Sequence, residues 1–88
     1  MKSKVAENMR KTRNIMGIKQ REIASAMGIY QPNISAYESG SVPLTPAFIS
    51  RYYEGLKKVK QAKDRELENL IKEKAYGRES EIDKPQTD

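Results

Sequence analysis

Cysteine, histidine and tryptophan are absent from the 88 residues, and phenylalanine occurs once. Without cysteine there are no disulfide staples. Without cysteine and histidine together, the usual zinc ligand sets and the catalytic arrangements built on either residue are excluded. The lack of cysteine also fits a reducing compartment. No apolar run is long enough for a signal peptide or a membrane span, so a cytoplasmic, soluble protein with no membrane partner is expected. Alternating β-branched runs, internal repeats and glycine-rich phosphate loops are missing as well. Glu7, Glu22, Glu38 and Glu54 form no evident acid pair in a cleft. These absences predict no enzyme, no cofactor and no metal.

What is present is basic and helical. Residues 1–63 hold twelve Lys and Arg against four acids, a net +8, whereas residues 64–88 hold five against eight, a net −3. A basic body followed by an acidic end suits an anionic partner such as nucleic acid, although a basic charge alone is also a common route to solubility.

The apolar spacing predicts four helices. Ser3 caps the first, with Val5, Met9, Thr12 and Met16 on one face and Gly17 as its stop. The second runs over 20–27, with Ile23, Ala24 and Met27 inward and Gly28 ending it. The third covers 31–39, has Pro32 in its first turn, where the missing N–H is not needed, and ends at Gly40. After the turn formers of SVPLTP, Thr45 caps and Pro46 begins a fourth helix with an apolar stripe of Ile49, Tyr52, Tyr53 and Leu56. The pattern stays helical but highly charged to Ala75, with Asp64 as a possible new cap, and the final GRESEIDKPQTD reads as disordered.

Two short helices separated by three or four residues fit a helix-turn-helix, whose second helix enters the DNA major groove. Ala24 is small where the helices cross, and Gly28 supplies the left-handed turn residue. Ile23, Met27, Ile29, Ile34 and Tyr37 are apolar where the pair must pack on the rest. The stretch QREIASAMGIYQPNISAYESG, with its leading Gln, small residue, turn Gly and closing aromatic-Glu-x-Gly, resembles the lambda-repressor-like (Cro/phage-repressor-type, XRE) helix-turn-helix family. The resemblance covers roughly residues 5–56. It implies an all-α, compact four- to five-helix domain that binds double-stranded DNA, commonly as a homodimer, in proteins mostly of bacterial or phage origin.

The resemblance places the start of the third helix against base edges. Gln31 becomes the leading reader, since glutamine can pair two ways with adenine, and Asn33 the second. Ser35 and Ala36 lie one turn on, where Ala36 could touch a thymine methyl. Gln20 resembles the family's phosphate-clamping glutamine at the start of helix two. Ser39 and Ser41, flanking Gly40, would offer hydroxyls and backbone N–H groups to the other phosphate strand. Arg10 is a further phosphate candidate. Arg13 resembles the arginine that pairs with the glutamate here numbered Glu38, and is expected both to form that ion pair and to lean toward the DNA backbone.

Three positions depart from the family pattern. Lys19 stands where Thr or Ser usually caps helix two, and is assigned to phosphate. Tyr30 replaces a small hydroxyl cap, so its ring packs on the backbone or its hydroxyl reaches a phosphate. Pro32 can make only apolar base contacts, which narrows what this helix can specify. Plainer readings stand beside these: a solvated polar face for Gln31 and Asn33, simple solubility for Lys2, Lys4, Arg10 and Lys11, core packing for Tyr37, Tyr52 and Tyr53, and a solvated helix face for Lys57, Lys58, Lys60 and Lys63.

The expected organisation is a DNA-binding domain over 1–56, a charged helical extension over 57–76 and a tail over 77–88. Leu67, Leu70, Ile71 and Ala75 form a narrow stripe that either folds back on the core or pairs with a second subunit. A transcriptional regulator, a repressor binding an inverted repeat as a dimer with recognition helices ~34 Å apart, is the leading expectation. The competing one is an antitoxin-like or anti-repressor module that holds a protein partner through the C-terminal helix. RNA binding ranks below both, because the aromatic stacking surface of single-strand readers is missing.

Overall fold

The computed structural model of the chain describes residues 3–74. Among these the chain is all-α, with α1 over Lys4–Ile15, α2 over Gln20–Met27, α3 over Gln31–Ser39 and α4 over Pro46–Lys72. The caps explain the boundaries. The Ala6 N–H donates to the Ser3 hydroxyl at 3.2 Å, and the Phe48 N–H donates to the Thr45 hydroxyl at 3.1 Å. At α2 the lysine cap has no side-chain acceptor, but Glu22 turns back and accepts the Lys19 N–H at 2.7 Å, filling half of a capping box. Gly28 ends α2 at φ 70°, in the left-handed region, so the chain can reverse while the Ile29 N–H donates to the Ala24 carbonyl at 2.9 Å.

The core is a single cluster of Met9, Ile18, Ile23, Ala24, Ile34, Phe48, Tyr52 and Leu56. Ile23 and Ile34, one on each short helix, are fully buried, and each such side chain contributes about 1.5–3 kcal/mol relative to exposure. Tyr37 stacks on Phe48 with centroids 3.8 Å apart, and Tyr53 meets the edge of Tyr52 at 5.9 Å. Gly55 lets α4 press against α2: a Cβ there would sit 2.7 Å from Ile23 Cδ1 and 3.1 Å from Met27 Cγ.

Several inward positions differ from the sequence reading. On α1 the buried residues are Ala6, Met9 and Arg13, while Val5 is 44% exposed and Thr12 and Met16 are half-buried. The helix is rotated to bring Arg13 inward, with Ala6 one turn before Met9. On α4, Phe48 is buried more deeply than Ile49. Ile18, in the α1–α2 link, enters the core although no helical period marked it.

The stretch after Leu56 is neither a fifth helix nor folded back onto the body. α4 continues through the expected 56/57 boundary as one helix, with Val59, Lys60 and Lys63 still half-buried and the described residues from Asp64 onward exposed. Asp64 does not start a new helix; it accepts an i,i+4 salt bridge from Lys60 at 2.8 Å within an unbroken α4. Lys2, Ala75 and the tail over 77–88 lie outside the described residues.

Candidate nucleic-acid interface

On α3, Ile34 and Glu38 are buried, Tyr37 is half-buried, and Gln31, Pro32, Asn33 and Ser35 are exposed. Ala36 is half-buried. Tyr30, the N-cap, is 73% exposed and makes no capping hydrogen bond with its side chain. The first turn of α3 presents the amide side chains of Gln31 and Asn33 and carries no charge.

Behind that turn lies a buried polar network. Arg13 Nε and Nη2 donate to the two oxygens of Glu38 at 2.7 and 3.0 Å, a bidentate pair, and Arg13 Nη1 donates to the Ile18 carbonyl at 2.8 Å. The Tyr52 hydroxyl donates to Glu38 Oε2, and Gln20 Nε2 donates to Glu38 Oε1 at 3.0 Å. Burial pushes the Glu38 carboxyl up, but the hydrogen bonds from Arg13, Tyr52 and Gln20 and the Arg13 charge outweigh it and hold it below the usual carboxylate range. Burial lowers the Arg13 pKa, yet Glu38 raises it on balance, so both partners stay charged. Burial and then Glu38 push the Tyr52 phenol upward, which keeps its proton in place for donation.

The network extends to the surface through two amides. Glu38 can only accept, so Gln20 turns its nitrogen inward and its oxygen outward. That oxygen accepts a long hydrogen bond, 3.4 Å, from Gln31 Nε2. Gln31 is exposed and keeps its carbonyl oxygen and one amide hydrogen outside this contact, one acceptor and one donor.

The remaining site residues are placed as follows. Arg10, Gln20, Ser35 and Ser39 border a cleft of about 270 Å³ between α1 and α3, with Glu7 on the same rim. Lys19 is exposed at the start of α2. Arg13 is 7% exposed and directs three of its five N–H donors to Glu38 and the Ile18 carbonyl, so the structure places it in the ion pair with Glu38. Gln20 spends one amide hydrogen on Glu38 and keeps one. The backbone donors expected near Ser39 and Ser41 are taken by the helix end, since the Ser41 N–H donates to Ala36 O at 3.0 Å and the Gly40 N–H to Tyr37 O. Ser39 also donates its hydroxyl to Ala36 O, and the two serine hydroxyls are 2.8 Å apart. A phosphate there would have to break the hydroxyl pair.

The part of Tyr52 in this network escaped sequence reasoning, which placed it only in the core. The signal was the hydroxyl: a tyrosine on a stripe otherwise filled by apolar residues must find a buried partner. Among the described residues no cluster of acids could hold a metal ion, and no helix is long and apolar enough to cross a membrane. Comparison of the chain with protein-family models, curated proteins and solved structures gives no match.

Proposed function

We propose that α2 and α3 form a helix-turn-helix of the lambda-repressor-like kind and that this chain is a cytoplasmic, non-enzymatic transcriptional regulator. In this reading it is a repressor that binds an inverted repeat in double-stranded DNA as a dimer, with α3 in the major groove. The observation that carries the reading is Gln31. It stands at the exposed, uncharged N-terminus of α3 with one donor and one acceptor free, the pair that matches adenine N7 and N6. Asn33, Ser35 and Ala36 follow along the same helix, with Pro32 limited to apolar contact. Lys19, Arg10, Gln20, Tyr30, Ser39 and Ser41 supply the phosphate contacts that set register. Selection of random duplexes by the purified chain, followed by titration at two salt concentrations, tests this. An enriched inverted repeat that Gln31→Ala no longer prefers supports it. Weak, sequence-blind, salt-sensitive binding would sink it.

A second reading rests on Leu67, Leu70 and Ile71, which α4 leaves 48–57% exposed beyond the body. They would hold a protein partner, as an antitoxin or anti-repressor does. Leu67→Asp separates the two readings: operator half-site affinity is kept and a partner complex is lost.

A further inference from the structure

Beyond Lys63, α4 projects from the body, and its exposed side chains are sorted. At about 3.6 residues per turn, Leu67, Leu70, Ile71 and Lys74 fall on one side, where they border a single apolar patch. Asp64 lies three residues before Leu67 and Lys74 three after Ile71. The stripe thus has an acid at the end near the body and a base at the far end.

No other described element covers this stripe, but a second copy of the same helix can. A parallel, in-register pair would set Asp64 against Asp64 and Lys74 against Lys74. An antiparallel pair with its twofold at Asn69 sets each residue before the axis against the one equally far after it. Leu67 then faces Ile71, Asp64 faces Lys74, each contact occurs twice, and Leu70 meets its own copy beside the axis. Moving the axis to between Glu68 and Asn69 places Lys63 against Lys74 and Asp64 against Glu73. Of these three arrangements, the charge pattern favours the antiparallel pair centred on Asn69. The overlap also stops where the body begins, because Lys63, the residue before Asp64, is bridged to Glu22 of α2 at 2.8 Å.

We infer that this chain self-associates through the distal part of α4, as an antiparallel pair centred on Asn69 and closed at each end by Asp64 of one copy and Lys74 of the other. Three half-exposed aliphatic side chains per copy bury far less than the ~1,200–2,000 Å² of a standard interface, so dissociation in the range of about tens of micromolar is expected. At ~1.5 Å per residue, Tyr52 lies about 26 Å from the axis, which holds the two bodies about 50 Å apart. This pairing does not depend on DNA binding. If the chain does bind an inverted repeat, it calls for half-sites more widely spaced than a single turn of ~34 Å.

Sedimentation equilibrium of the full chain tests the pairing, with circular dichroism as a check on folding. The native chain should pass from monomer to dimer over the micromolar range. Asp64→Lys and Lys74→Asp should each raise the dissociation constant about tenfold, because each turns two attractive pairs into two repulsive ones. The double exchange should restore it to within a few-fold. With no native cysteine, Arg51→Cys on the exposed side of α4 accepts a spin label, and dipolar spectroscopy should give a separation of about 50–55 Å at 1.5 Å per residue. A chain that stays monomeric, a double exchange that fails to restore pairing, or a label separation below about 30 Å would each overturn the inference.

Discussion

The Tyr52 hydroxyl donates to Glu38 Oε2 at 2.5 Å, tying the middle of α4 to the last turn of α3 inside the core. Arg13 Nε shares that oxygen at 2.7 Å and Gln20 of α2 donates to the other, so all four helices meet on one carboxylate. Tyr52→Phe keeps the ring packing and deletes one bond to a charged acceptor, which should cost about 1.5–3 kcal/mol in urea unfolding. Arg13→Ala leaves Glu38 buried without its counter-charge and should cost more, about 3–5 kcal/mol. Replacing both charges together, by Arg13→Met and Glu38→Leu, should cost less than Arg13→Ala alone, since neither charge is then stranded. If Arg13→Ala proved no worse than Tyr52→Phe, the ion pair would not be the centre of the network.

Acid should weaken the fold through the same carboxylate. Glu38 titrates below its ordinary value of 4.5 in the folded chain, and so does Glu22, held by the Lys19 N–H and by Lys63. Below about that value the unfolded chain binds more protons than the folded one. The stabilisation is therefore complete above pH ~4.5 and is lost as pH falls from there through the depressed folded pKa values. Urea midpoints measured from pH 7 to pH 3 should hold level and then drop. In Glu38→Gln the drop should be much shallower. A midpoint unchanged between pH 5 and pH 3 in the native chain would contradict this account.

Two glycines should respond to alanine for different reasons. Gly28 has open space around its Cα but sits at φ 70°, so Gly28→Ala costs only the backbone strain of a left-handed residue, about 1–2 kcal/mol. Gly28→Asn should cost less, because asparagine tolerates that region better. Gly55 has ordinary helical geometry, but an added methyl meets Ile23 Cδ1, and overpacking of about 1–3 kcal/mol competes with the gain of about 1 kcal/mol in helix propensity. Gly55→Ser should then be worse than Gly55→Ala, whereas the reverse order would mean that the α2–α4 contact gives way easily. Thermal and urea unfolding distinguish these cases.

The helix ends were legible because local chemistry decides them: Ser3, Thr45 and Pro46 open helices, and Gly17, Gly28 and Gly40 close the first three. The Arg13–Glu38 pair was also within reach, through the resemblance of the stretch around it. The rotation of α1 was not, because Val5 and Ala6 both fit a helical stripe. The choice between them depends on where Arg13 must go, a contact 25 residues away in sequence. Ile18 and Phe48 were missed for a related reason: one lies in a link with no period, the other one place before a plausible stripe. The course of α4 beyond Leu56 was ambiguous, since charged helical sequence looks alike whether it returns to the body or leaves it. On the surface of α3 the sequence pointed to Gln31, but the inward chain through Gln20 depends on side-chain directions that no motif specifies.

If the chain binds DNA as proposed, Arg10 and Gln31 should fail in different ways. Arg10 is exposed on α1 at the rim of the cleft beside Ser35 and Ser39, where it can neutralise a phosphate but reads no base. Arg10→Ala should weaken cognate and mismatched duplexes alike and make the slope of log affinity against log salt shallower by about 1. Gln31→Ala removes a side chain with a paired donor and acceptor and no charge. It should leave that slope unchanged and cost about 1–3 kcal/mol on the cognate sequence alone, bringing it toward the mismatched one. Titrations of both variants against a selected operator and a scrambled duplex, at several salt concentrations, separate the two behaviours. If Gln31→Ala changed the salt slope and kept the discrimination, α3 would be touching the backbone, and base reading would have to be sought elsewhere on the body.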